Sequence, residues 1–353
     1  MVDTLILHWV WKTVFATGLF SMAVLVLILA LRLGRRYHAF RRHAFRTQWH
    51  PLLSRGVIED VPGLPPLARR DRYAFLELWV AFQESFTGES RERLNHLALR
   101  LGVDRTALRL SRGSRLSKRL VAMTALGYLR CPEAWDVLHN LIRHANPTLS
   151  LVAARALARI DGNRALPLLV PHFASRHDWP LTEVTQVLRE TGSDLAAPML
   201  GQTALTGSPE QAARLIRLIE AIRGVTALSL VREVLDAHPD DATIVPAALR
   251  LLGQCEDPRD LPRLRRYVRH ANWIIRLQAA AALGKMGTME DEDELIALLS
   301  DQHWWMRYRA AEGLSRLPQM TRQRLITIRA RIDDEAIASV LDPWLGPPVD
   351  QVA

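Results

Sequence analysis

The side chains best suited to chemistry in this chain are a run of five carboxylates, a set of recurring tryptophans, and clusters of arginine and histidine. Glu290 to Glu294 (EDEDE) has the charge to hold a divalent cation. It falls where a helix should begin, and there carboxylates complement the positive end of the helix dipole, so a capping role is expected. Trp179, Trp273, Trp304 and Trp305 recur at equivalent positions of an internal repeat and should line one edge of it. Such an edge has two uses: a hydrophobic staple at each helix start, or an anchor for a protein partner, since Trp is enriched at binding hot spots. Arg263, Arg265, Arg266 and Arg269 make a basic face one repeat before the last, either solvated or a seat for an acidic partner. Gly-rich phosphate loops, nucleophile elbows and His-Glu-x-x-His zinc sites are all missing from the sequence. No catalytic, cofactor-binding or metal-ligating set is therefore expected, and the chain reads as a non-enzyme.

The elements that carry these residues follow from self-comparison. Turns between two helices fall at Gly113-Ser114, Asn146-Pro147, Asp178-Trp179, Pro209-Glu210, Asp240-Asp241, Asn272-Trp273 and His303-Trp304, 31 to 33 residues apart. Residues 264–287 (LRRYVRHANWIIRLQAAAALGKMG) align with 295–317 (LIALLSDQHWWMRYRAAEGLSRL), and 137–161 follows the same plan. Each unit is an amphipathic helix, a short turn, and a second helix with an Ala-rich stripe. One pair cannot bury its apolar face, so neighbours stack and share a core. Residues 71–102 read as an N-terminal capping pair, with Ser90 as the N-cap of its second helix, 103–317 as the repeats, and 318–353 as C-terminal capping helices and tail.

The patterns at Trp273–Leu283 (WIIRLQAAAAL) and Trp304–Leu314 (WWMRYRAAEGL) resemble the bacterial HEAT-like repeats of phycobilisome-lyase-type proteins. The resemblance spans about 103–317 and implies an all-α solenoid of about seven helix pairs that binds partners along an extended surface. It also implies a ladder in which an Asp before the turn bonds an Arg of a second helix, here Asp301 with Arg276 or Arg307. Other units carry His144, His238 or His270 nearby instead, so the ladder should be broken. The His-Glu pairs of the di-iron hydroxylases built on such repeats are absent. A pigment-lyase role would sit oddly with a membrane tether.

That tether is read from Thr13 to Leu31, 19 residues without a charge, about the length that crosses a bilayer as a helix. The expected layout is 1–12 outside, 13–33 across the membrane, and 34–70 a basic juxtamembrane segment with a Pro/Gly linker. Trp9 and Trp11 would form an outer aromatic belt. Arg35, Arg36, Arg41, Arg42 and Arg46 would face anionic headgroups, which by the positive-inside rule puts the repeats in the bacterial cytoplasm at the inner membrane. The net charge of +9 is concentrated here: residues 1–50 hold seven basic side chains against Asp3, whereas the other 303 residues carry 39 basic and 36 acidic ones. A general nucleic-acid surface is not implied. Cys131 and Cys255 lie in no paired motif and suit a reducing compartment.

The function expected is a membrane-tethered scaffold that binds a protein partner, and the family resemblance suggests a membrane glycosyltransferase of exopolysaccharide assembly. Two alternatives are an enzyme whose site is assembled across repeats and a nucleic-acid binder at the membrane.

Overall fold

A computed structural model describes residues 2–346, and over parts of 2–42 it describes the backbone without the side chains. Among the described residues the chain forms twenty α-helices and no strand. It divides into two compact units, residues 1–137 and 138–353.

The first unit opens with one helix, α1, Val2–Ile58, 57 residues long. It is followed by α2 (Arg72–Ser85), α3 (Glu89–Arg100), α4 (Val103–Ser111) and α5 (Leu116–Tyr128). The end of α1 is not a linker. Trp49, Leu53 and Val57 recur every four residues and are buried, so the segment read as juxtamembrane is folded onto the unit. The Trp49 ring meets Phe75 edge-on at 5.0 Å, and Arg93 of α3 donates to the Val57 carbonyl at 2.9 Å. Helix α3 starts one residue before Ser90, with Gly88 at its N-cap in a positive-φ conformation (φ 61°) that glycine adopts without strain. Inside the unit, the Trp79 indole donates to the Leu94 carbonyl (2.9 Å), Gln83 to Asn95 (2.9 Å), and Asn95 to the Tyr128 carbonyl (2.9 Å).

Within 13–33, the described side chains of Leu19, Met22 and the run Val24–Leu29 are exposed. Among the described residues, however, no helix is long and apolar enough to cross a membrane. The side chains of Trp9, Trp11, Lys12, Arg35, Arg36 and Arg42, and residues 347–353, lie outside the described residues.

The second unit carries most of the repeats. Its helices pair as α6/α7 (Trp135–Leu141, Pro147–Ile160), α8/α9 (Gly162–Ser175, Leu181–Thr191), α10/α11 (Ser193–Thr206, Pro209–Ala221), α12/α13 (Leu228–Ala237, Ile244–Cys255), α14/α15 (Leu261–Tyr267, Trp273–Met286) and α16/α17 (Glu292–Leu298, Trp304–Arg316). With α4/α5, that makes seven pairs, each turning where the 31- to 33-residue spacing puts the turn. The turn chemistry is local. Asn146 accepts from the Leu149 amide (3.1 Å), Asn272 from the Ile274 amide (2.9 Å), and Pro147 and Pro209 occupy first turns. Helix α18 (Arg322–Ala330) follows, then α19 (Glu335–Ala338) and α20 (Asp342–Leu345) with a 3-10 turn between them. Within these capping helices Ala338, Val340 and Leu341 are buried.

The second helices of the last repeats approach through small residues. A Cβ placed on Gly284 would lie 2.5 Å from the Gly313 Cα, and one on Gly253 would lie 2.4 Å from the Ala282 Cβ. Helix propensity alone favours Gly284→Ala by about 0.5–1 kcal/mol, whereas forcing a methyl into packed backbone costs about 1–3 kcal/mol. We expect Gly284→Ala to lower the chemical denaturation midpoint. A raised midpoint would show that α15 and α17 can separate without cost.

Candidate partner-binding surface

The four tryptophans read as one edge have three different fates. Trp179 is fully buried, its indole N–H donating to Ser150 Oγ at 3.0 Å, so it is core and not a partner contact. The sequence signal misleads there because His172 and Phe173 of α8 pack on the ring, at 6.1 and 6.0 Å, and Ser150 of α7 takes its N–H. Trp273 is half-buried and lies flat on His303, with ring centroids 4.7 Å apart and planes 7° apart. Trp304 and Trp305 are 49% and 57% exposed, meeting edge to face at 4.8 Å.

Two further rings join them. Tyr308, one turn along α17, stacks on Trp304 at 5.4 Å, and Trp344 of α20 packs on Tyr308 at 5.1 Å. Tyr308 was legible as a helical neighbour at i+4, but Trp344 comes from a segment whose docking no local pattern announces. The result is a projecting aromatic patch whose lower rings are held by packing and whose upper two face solvent. Exposed neighbouring indoles of this kind are what a hot spot requires.

The basic face is largely neutralised. Arg263 pairs with Asp236 (2.7 Å), Arg265 with Asp291 (2.6 Å), and Arg269 with Glu294. Arg266 is exposed, with its guanidinium carbon 5.2 Å from the centre of the Tyr267 ring. The acidic run is consumed by the same ladder: Thr288 and Asp291 form a capping box, and Glu292 is bonded by Arg324. Among the described residues no group of His, Cys, Asp and Glu could hold a metal ion.

Asp301 does bond Arg276, at 2.7 Å, and also accepts the His303 backbone N–H at 2.9 Å. Arg307 does not complete the ladder, and its Nε is buried without a hydrogen-bond partner. At two of the histidine units a local turn bond stands where the rung was expected. His270 Nδ1 accepts the Asn272 amide and His144 Nδ1 the Asn146 amide, both at 3.0 Å, which is the service Asp301 performs at its own turn. Arg41 is tied to Asp71 at 2.5 Å rather than free for headgroups, while Arg46 is exposed.

Sequence reading missed a second set of rungs. Glu190 is clasped by Arg155 (2.6 Å) and Arg159 (2.7 Å), and Glu220 by Arg250 (2.8 Å). Burial pushes the Glu190 carboxyl up, but the hydrogen bonds from the two arginines outweigh it and hold it below the usual range. Because the folded value is depressed, its contribution is complete above the unfolded carboxylate value of about 4.3 and is lost as pH falls through the folded one. We expect stability to fall from about pH 5 downward, and Glu190→Gln to cost about 2 kcal/mol at neutral pH while flattening that acid limb. An acid limb unchanged in the variant would remove Glu190 from the account.

Stacked helix pairs with capped turns and ion-paired layers define an all-α repeat protein of the solenoid class. Residues 107–189 and 266–342 match the family model of HEAT repeats, and the chain carries HEAT repeats there. Between those stretches α10/α11 and α12/α13 follow the same plan. Solved structures similar to this chain include a crystal structure of an engineered protein, 15% identical, covering 76% of this chain and 88% of its own, with a TM-score of 0.38. Another is the complex of CpcE and CpcF of phycocyanin lyase from Nostoc sp. PCC7120, 16% identical, covering 69% and 93%, with a TM-score of 0.27. No curated protein matches the chain.

Proposed function

We propose that this chain is a non-catalytic scaffold, tethered to the bacterial inner membrane by residues 13–33, whose HEAT repeats hold a protein partner at the cytoplasmic face. The observation that carries the partner reading is the patch of Trp304 and Trp305, both about half exposed and backed by Tyr308 and Trp344. Leaving two indoles in water forgoes about 25 cal/mol for each Å² of apolar surface, a cost that a partner would recover. The tether rests on the uncharged run Thr13–Leu31 and on the exposure of Leu19, Met22, Leu25 and Leu27 in α1. The basic residues that follow the run favour a cytoplasmic repeat region. A membrane glycosyltransferase of exopolysaccharide assembly is the partner to try first.

The test is crosslinked capture of the full chain from native membranes, followed by binding of the purified partner to wild type and to Trp304→Ala/Trp305→Ala. Each indole should contribute about 2 kcal/mol, so the double variant should bind roughly several hundredfold more weakly with an unchanged circular dichroism spectrum. Equal binding by both proteins would move the site off this patch. If carbonate extraction freed the chain from membranes, the tether would be lost from the proposal.

A further inference from the structure

The start of α15 is covered by the turn of the layer that follows it. The Arg276 guanidinium donates to Asp301 at 2.7 Å, and the Trp273 ring lies flat on His303 at 4.7 Å. Both covering residues belong to one turn, which Asp301 holds by accepting the His303 amide at 2.9 Å. A carboxylate and, two residues on, a planar ring thus complete the layer.

Helix α17 repeats the residues to be covered but not the cover. Trp304 and Arg307 stand 31 residues after Trp273 and Arg276. On the turn between α18 and α19, Ile332 takes the place of Asp301 and Asp334 that of His303. Ile332 has no charge to offer, and Asp334 accepts the Ala336 and Ile337 amides. Helix α19 stops after 4 residues, against 13 in α17. Among the described residues Arg307 makes no ion pair or side-chain hydrogen bond, and its Nε is buried. The carboxylates of α17 and α20 are committed to other arginines, Glu312 to Arg309 and Arg316, and Asp342 to Arg329. Trp304 is 49% exposed, whereas Trp273 is half-buried under its histidine.

We propose, resting on the reading of this patch as a partner site, that the partner segment docking there supplies the missing cover: a carboxylate that pairs with Arg307 and, close to it, an aromatic or imidazole ring that lies on Trp304. A half-buried guanidinium without an acceptor costs stability, which a charge-assisted bond from outside restores. Stacking on the open indole adds to the apolar area removed from water. A basic segment would set a like charge beside Arg307 and is disfavoured.

The experiment selects displayed random peptides on the full-length chain in detergent micelles, in parallel on Arg307→Gln and on Trp304→Ala/Trp305→Ala, with folding matched by circular dichroism. Wild type should enrich peptides that carry Asp or Glu close to His, Tyr, Phe or Trp. Arg307→Gln should lose the carboxylate preference and keep the ring preference. For one selected peptide, changing its carboxylate to the amide should weaken binding to wild type about tenfold and leave binding to Arg307→Gln unchanged, a coupling that the double-mutant cycle isolates. The peptide substitution leaves the protein untouched, so a folding defect does not imitate it. Ring-bearing peptides without a carboxylate preference, or an equal loss on both proteins, would overturn the proposal and leave the patch as a partner site. No peptide held by wild type over Trp304→Ala/Trp305→Ala would remove the patch as a partner site, and the proposal with it.

Discussion

Trp179→Ala should cost about 3–5 kcal/mol, the range for removing a large aromatic from a packed core. The ring is wholly inaccessible to solvent, with Phe173 at 6.0 Å, His172 at 6.1 Å and the Arg176 guanidinium 5.0 Å from its centre. Truncation would also take the indole donor from Ser150, itself fully buried, whose hydroxyl keeps its bonds to the Asn146 and Pro147 carbonyls. At about 2–4 °C per kcal/mol for a unit of this size, the melting temperature should drop by roughly 10 °C. Trp304→Ala, at an equivalent turn, should change it by no more than a degree or two, as expected for a surface substitution of about 0.5 kcal/mol. Thermal melts of the two variants side by side read the contrast directly. Similar melting temperatures would mean that Trp179 is not the anchor of α8 and α9.

Asp260→Ala is the second large effect. Its carboxylate is fully buried and takes two hydrogen bonds from Arg232, at 2.7 and 2.8 Å, while Asp257 holds the same guanidinium at 2.6 Å. Removing one partner of a buried pair costs about 3–5 kcal/mol because the other charge is stranded. Asp257 still neutralises Arg232 in the variant, so the lower end, about 3 kcal/mol, is expected. Replacing both partners together, as Arg232→Met/Asp260→Leu, should recover much of the loss, since an apolar pair of similar volume carries no desolvation cost. Urea denaturation of the two single variants and the double one isolates the coupling. Additive losses would show that the pair does not act as a unit.

The two cases show where local reading succeeds. Turn positions were legible because each depends on a few contiguous residues: Asn146 and Asn272 cap their own helices, and Pro147 and Pro209 sit where a missing N–H costs nothing. Asp301 and Arg276 were legible as a rung through the repeat resemblance. The basic face was not. Arg263 and Arg269 look free along the sequence and find carboxylates 25 to 27 residues away on the next layer. Likewise the Pro/Gly linker expected within 34–70 rested on its prolines and glycines, whereas the Trp49-Leu53-Val57 stripe holds the residues up to Ile58 in α1.

By itself the sequence determined the all-α class, the seven-pair period and the position of every turn between paired helices, because periodicity and capping act within a dozen residues. Only the tertiary structure decided which side chains those pairs bury and which they present. Trp179 and Trp304 stand at equivalent turns, yet one is sealed by Phe173 and bonded to Ser150 while the other stands open at the start of α17. The physical reason is that burial and charge neutralisation belong to the interface between layers, and no residue's own neighbours along the chain contain that information.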